Sequence, residues 1–253
     1  MPHESTAGKI FVTGDCHRTF SKFNTKKFPE QKLLSKDDVM LICGDFGGIW
    51  TAAEDKEERY LLNLLESRSF TTAFVDGNHE NFSRLDSFPV SVWNGGNVHF
   101  VRPSIIHLMR GQIYTIHGKT FFTFGGAKSH DMSGGLLDPD DPALKLKIRR
   151  LNRLELNYRL RNVTWWEREL PSEEEMEEGI RNLERQNWSV DYVITHCAPT
   201  SLLPKGESDI LTDYFDMILN RLSFKTWYFG HYHDDRRVSE NAVLLLDSIM
   251  QIC

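Results

Sequence analysis

Apolar residues in this chain gather in short runs, and five of those runs stop abruptly at polar tails holding aspartate, asparagine or histidine. The runs are Ile10-Phe11-Val12, Met40-Leu41-Ile42, Ala73-Phe74-Val75, Tyr192-Val193-Ile194 and Trp227-Tyr228-Phe229. They are too short for helices and rich in β-branched and aromatic residues, as strands buried on both faces are. The pattern predicts strands at 9–14, 39–43, 72–76, 190–195 and 226–230, with a closing strand at 242–247. Residues 52–67, 81–88 and 208–222 carry helical periodicity, the first burying Leu61, Leu62, Leu64 and Leu65. Strand and helix alternating in this way predict βαβ units and a largely parallel sheet.

The pattern changes at Val98. Runs at 105–109, 112–116 and 120–124, broken by Arg110-Gly111 and His117-Gly118-Lys119, predict antiparallel strands of a second sheet. Two sheets should therefore pack face to face with helices outside. His99, His107 and His117 fall in this second-sheet region, match no motif and are read as structural.

Composition shifts again from Lys128 to Trp188. Gly134-Gly135 and Asp138-Pro-Asp-Asp-Pro142 mark an irregular loop, and a basic stretch follows with Lys145, Lys147, Arg149, Arg150, Arg153, Arg159 and Arg161. Trp165-Trp166 reads as a packing anchor. Ser172 ahead of Glu173, Glu174 and Glu175 is a helix-start signal, since acids complement the dipole there. We read 128–188 as a helical cap inserted into an α/β domain spanning 9–253. Its basic stretch is expected to be a solvated face paired with the acidic helix. The chain shows no internal repeat.

At 253 residues the chain has room for one large domain with an insertion. Its formal net charge of −6 does not gather phosphate backbones by bulk electrostatics. That disfavours bulk duplex nucleic acid and leaves small phosphorylated molecules acceptable. No stretch approaches the roughly 18 consecutive apolar residues of a membrane span. Met1–Lys9 is polar and lacks a hydrophobic signal core, so it reads as a frayed tail ahead of the first strand. Cys16, Cys43, Cys197 and Cys253 form no CxxC pair and read as small apolar residues in a reducing compartment. The expected location is the cytoplasm, with no membrane partner.

The chemistry sits in the tails of the five runs: Asp15-Cys16-His17, Gly44-Asp45, Gly77-Asn78-His79-Glu80, Thr195-His196 and Gly230-His231-Tyr232-His233. Strand ends of open α/β sheets face one crevice, so these side chains should meet. The two-residue spacing of Asp15/His17 and of His231/His233 places each pair on one side of an extended segment. A glycine before Asp45 and before Asn78 lets backbones approach closely. Oxygen and nitrogen donors without thiolate suit two divalent ions such as Mn, Fe or Zn. A carboxylate bridging two ions can share them with a hydroxide placed for in-line attack on phosphorus. His79 can protonate the departing oxygen as general acid.

In order, these motifs spell D-x-H, G-D, G-N-H-[DE], H and G-H-x-H, and from Lys9 to the C-terminus the chain resembles the calcineurin-like metallophosphoesterase superfamily. The resemblance implies a four-layer αββα sandwich of two mixed β-sheets flanked by helices, with a dinuclear metal centre. It implies one ion on Asp15, His17, Asp45 and His233, and a second on Asp45, Asn78, His196 and His231. Asp45 would be the bridge and His79 the acid.

The departures bear on substrate. Phosphoprotein phosphatases of the superfamily carry glycine after D-x-H and Asp-Arg-Gly in the second motif. Here Arg18 and Phe46-Gly47-Gly48 stand in those places. The expected reaction is hydrolysis of a phosphate mono- or diester in a small molecule, nucleotide or phosphopeptide. A phosphoprotein phosphatase, a nuclease and an inactive binding scaffold are the alternatives. The stretch from Gly125 to Leu170 looks like bacterial and phage members. Arg18, His130, Asp131 and Arg159 are the residues expected to face substrate.

Overall fold

The computed structural model describes residues 8–203 and 208–253. Most of the tail expected at the N-terminus lies outside them. Strands β1 (Ile10–Thr13), β2 (Val39–Ile42), β3 (Thr71–Phe74), β4 (Val90–Trp93), β5 (Gly96–Arg102) and β6 (Ile105–Leu108) come first. They are followed by β7 (Gln112–Ile116), β8 (Lys119–Phe124), β9 (Leu136–Leu137) and β10 (Arg159–Leu160). The last are β11 (Tyr192–Thr195), β12 (Thr226–Phe229), β13 (Arg236–Ser239), β14 (Ala242–Leu244) and β15 (Ile249–Gln251). The α-helices are α1 (Lys56–Glu66), α2 (Phe82–Leu85), α3 (Leu144–Arg153), α4 (Glu173–Arg185) and α5 (Ile210–Leu219).

The strands form a seven-stranded sheet, β15-β1-β2-β3-β6-β5-β4, and a six-stranded sheet, β13-β14-β12-β11-β8-β7. Alternation along each strand explains the layers. Ile10, Val12, Val39, Leu41 and Ala73 point between the sheets, where they meet Tyr114, Phe121, Ile194 and Tyr228. Phe11, Met40, Ile42 and Phe74 point the other way and bury Leu62 and Leu65 of α1. On the far side, Phe122, Val193 and Trp227 cover Leu183, Leu211 and Phe215 from the α4 and α5 regions. Burying both faces is what turns the central strands into continuous apolar runs. This is the expected four-layer α/β sandwich.

Some expectations change. Helix α1 starts at Lys56 rather than 52 because the Asp55 side chain accepts the Glu58 backbone N–H as its N-cap. Only Leu62 and Leu65 of its four leucines are fully buried. The helix expected at 81–88 is a single turn behind Asn81. Strand β6 belongs to the first sheet, parallel to β3, and not to the second. All four of its residues are buried, as an interior strand requires. Arg110-Gly111 is accordingly a crossing between sheets and not a hairpin turn. His99 and His107 lie on β5 and β6 of the first sheet. The closing segment divides: β14 runs parallel to β12, and β15 returns to pair antiparallel with β1.

The insertion is smaller than 128–188. Helix α4 opens with the expected capping box of Ser172 and Glu175, but it lies against the second sheet, with Leu183 in that sheet's core. The elaboration proper is the segment before it, holding α3 and the short parallel pair β9-β10. Trp166 is the anchor: it is 3% exposed and packs on Trp50 and Phe82 of the core. Trp165 is only half-buried.

The pairing expected between the basic stretch and the acidic helix is absent among the described residues. Glu175 instead meets Arg110 and Arg168, while Glu177 and Glu178 meet Arg181 of their own helix. These acids are held by the sheet and by α4 itself, so α3 is left without them.

Candidate metal centre

The site forms where the carboxyl ends of β1, β2 and β3 in one sheet meet those of β11 and β12 in the other. Backbone bonds knit the five tails together. The N–H groups of Cys16 and His17 both donate to the Asp45 carbonyl, at 3.0 and 2.8 Å. The His231 N–H donates to Asp15 Oδ1 at 3.0 Å, and Gly230 N–H to the His196 carbonyl at 2.9 Å. A Cβ at Gly77 would overlap the Asp45 carboxylate, and one at Gly230 would overlap that of Asp15. Glycine is needed at both.

His17, Arg18, Asp45, His231 and His233 all have φ between 43 and 69°. The left-handed backbone costs a non-glycine residue energy, and such residues persist where the surroundings hold them. The two-residue motifs are therefore not extended, contrary to expectation. Asp15 and His17 converge because the chain turns over the Asp45 carbonyl.

Two sets of side chains gather. In the first, His17 Nε2 lies 3.0 Å from His233 Nε2 and 3.6 Å from Asp15 Oδ2, and His233 Nε2 lies 3.3 Å from Asp15 Oδ2. Asp45 Oδ2 is 3.7 Å from His17 Nε2. In the second, His196 Nε2 is 3.3 Å from Asp45 Oδ1 and 3.3 Å from Asn78 Oδ1, with His231 packed against the His196 ring. Asp45 thus presents one oxygen to each set. The potential ligand atoms of Asp15, His17 and His233, and those of Asp45, His196 and His231, lie within 4.8 Å of one another.

The protonation pattern suits cations. Burial opposes ionisation of Asp15 and Asp45, yet the neighbouring imidazoles hold Asp15 well below the carboxylate range and Asp45 at about 2. Burial and the nearby His196 push His231 down to about 3, leaving its ring neutral with a free lone pair. His196 is the exception: burial opposes its charge, but Asp45 and Asp15 raise it to about 9. Its Nδ1 donates to the Cys43 carbonyl at 2.8 Å, which turns Nε2 towards Asp45 and Asn78. Clustered oxygen and imidazole donors with two buried anions fit divalent first-row ions.

His79 stands beside both sets. Its backbone N–H donates to Asp45 Oδ1 at 2.8 Å, and Trp50 stacks near its ring. Arg159 Nη2–H donates to His79 Nε2 at 3.4 Å while pairing with Asp131 at 2.7 Å. Burial lowers the His79 pKa, Asp45 opposes the shift and Arg159 adds to it. His130 packs beside His231, with ring centroids 5.2 Å apart. Arg18 is different: its guanidinium meets Glu57 of α1 at 3.5 Å, not the ligand sets.

Several supporting residues escaped sequence reading. Ser129 Oγ accepts from Asn78 Nδ2 at 3.2 Å, turning the amide oxygen towards His196. The buried Lys22 ammonium donates to the carbonyls of Gly14, Asp15 and Leu246, behind Asp15. Glu80 accepts the Gly47 N–H at 3.2 Å and ties the third tail to the second. Ser129 and Lys22 belong to no ligand pattern, and Glu80 closes the Gly77–Glu80 motif without a role of its own there; lysine and glutamate usually sit at surfaces. The thiols of Cys16, Cys43 and Cys197 are buried, free and shifted upwards by that burial, which makes them packing residues.

Behind Gly77, Asp76 accepts from Arg110 Nη2 at 2.6 Å and from His107 Nε2 at 3.1 Å. His107 Nδ1 then faces His99 Nδ1 at 3.1 Å. Burial holds His99 down to about 4. An unfolded histidine takes a proton near 6.5, so between those values the unfolded chain binds more protons and stability falls with acidity. Urea unfolding at pH 7 and pH 5 should show this loss, and His99→Gln should remove about 2 kcal/mol of it. An equal pH response in both proteins would refute the assignment.

A family model described as calcineurin-like phosphoesterase matches residues 8–235, most of the chain. The chain belongs to the calcineurin-like phosphoesterase family. Metal dependence is a property of that family, and here the histidine and aspartate sets are the groups able to hold metal. Over 140 residues the chain is 29% identical to lariat debranching enzyme A of Xenopus laevis. The match takes in 50% of this chain and 25% of that relative's length. Among the described residues no helix is long and apolar enough to cross a membrane.

Proposed function

We propose that the protein hydrolyses phosphodiesters with two divalent ions, one on Asp15, His17, Asp45 and His233 and one on Asp45, Asn78, His196 and His231. The observation that carries this reading is the Asp45 carboxylate, which turns Oδ1 to one set and Oδ2 to the other. When bound, such ions acidify a water and draw charge from phosphoryl oxygens. Asn78, held by Ser129, and His196, held by the Cys43 carbonyl, keep their donor atoms in place. Once Arg159 turns from His79 Nε2 to the substrate, that nitrogen is free to carry a proton to the departing oxygen. Arg159, beside that nitrogen, steadies a phosphate oxygen.

Arg159 also supports a diester over a monoester. Its charge is already balanced by Asp131, and a diester monoanion asks for less positive charge than a monoester dianion. Similarity to a lariat debranching enzyme is compatible with this preference. Arg18 is left out of this reading because its guanidinium meets Glu57 instead of the ligand sets.

The test is to strip the protein with chelator, reload it with Mn, Fe or Zn, and assay bis(p-nitrophenyl) phosphate, p-nitrophenyl phosphate and a phosphopeptide. Stripped protein should be inactive, and the diester should be the best substrate after reloading. Faster phosphopeptide turnover would reassign the protein as a phosphoprotein phosphatase. Stoichiometric metal with no turnover would make it a binding scaffold.

A further inference from the structure

We propose that α3, with Arg161 and Trp165, is a docking face for a single-stranded nucleic acid whose scissile phosphate lies at the metal centre. The proposal rests on the phosphodiesterase reading and names its substrate class. Helix α3 carries five cations and no acid in ten residues, in a chain whose acids outnumber its bases by six. All five are exposed, and among the described residues only Lys147 of them has a carboxylate partner, Asp141. Leu144, Ile148 and Leu151, at helical spacing, are half-buried and hold the helix to the insertion. At about 100° per residue, Lys145, Arg149, Arg150 and Arg153 therefore cover the arc facing away from that seam.

Along the chain this face runs on to the chemistry. Arg153 is followed by Arg159, whose guanidinium reaches His79, and then by Arg161, which sits over the Trp165 ring at 5.6 Å. Trp165 and Ser129 line a cleft of about 740 Å³, and Ser129 is the residue that holds Asn78. An indole beside a cationic track suits an unpaired base stacked next to its phosphates. A duplex offers no such base, and the acidity of the remaining chain repels long duplex. An anionic lipid surface would use the same cations but not the cleft.

The experiment compares the wild-type protein with a variant carrying Lys145→Gln, Arg149→Gln, Arg150→Gln and Arg153→Gln, all at exposed positions. Chelated protein is titrated with fluorescent oligouridylate and oligothymidylate across a salt series. Metal-loaded protein is assayed on the same oligonucleotides and on bis(p-nitrophenyl) phosphate. At about 0.7 per phosphate contact, losing four should flatten the slope of log affinity against log salt by about 2.8. KM for oligonucleotide should rise at least about tenfold, with kcat and turnover of the small diester unchanged.

Wild-type binding that the variant retains would overturn the docking face, as would no binding at all. Tighter, α3-dependent binding to phosphatidylserine vesicles would reassign the face to a lipid surface. Because docking is read on chelated protein, α3-dependent binding without small-diester turnover would refute the phosphodiesterase reading and leave the docking face standing.

Discussion

Replacing Asp45 by Asn should cost about 10³-fold or more in turnover and should strip both ions from the protein. The substitution keeps the shape of the side chain and removes its charge, so packing around the 1% exposed residue is preserved. Its two oxygens lie 3.7 Å from His17 Nε2 and 3.3 Å from His196 Nε2, so the anion is withdrawn from both sets together. Asp15→Asn supplies the contrast. Asp15 Oδ2 faces the rings of His17 and His233 and meets the second set through the His231 backbone N–H, so that variant should lose one ion and keep most of the other. Metal analysis after dialysis reads the difference. Two ions retained per chain in Asp45→Asn would remove that residue as the bridge.

His79→Asn should lower turnover by about 10²–10⁴-fold on substrates with poor leaving groups while metal content stays near wild type. The reason is position. His79 is fixed by its own N–H on Asp45, yet its ring also lies against Trp50 and Arg159 and so faces the mouth of the site. A p-nitrophenolate departs without being protonated, so the loss on that ester should be much smaller than on an alkyl ester. Equal losses on both would argue against proton donation. Loss of an ion would make His79 a ligand, a role its nearness to His17 and Asp45 leaves open.

Much of this architecture was legible because a strand buried on both faces leaves a distinctive trace. Residues such as Met40 and Leu41 face different layers but are equally apolar, so each central strand reads as a short run with a sharp end. The ends then pointed to the tails. Ser172 with Glu175 likewise marked the start of α4, because a capping box is a local arrangement. Non-local choices were not legible. The run 105–109 is as good a strand for either sheet; its pairing with Thr72 and Ala73 is made across thirty-two residues of intervening chain. The basic stretch and the acidic helix have complementary charge, yet Glu175 lies nearer Arg110 and Arg168 once the sheet places it.

Sequence by itself determined the five strand ends, the donor types on them and their order, because strand patterning and donor chemistry are properties of neighbouring residues. Tertiary structure alone decided which oxygen of Asp45 faces which imidazole and which arginines the acids of α4 meet. It also recruited Ser129, Lys22 and Trp50 to hold the site. Those outcomes depend on distances between segments remote along the chain, and such distances exist only after the two sheets have packed.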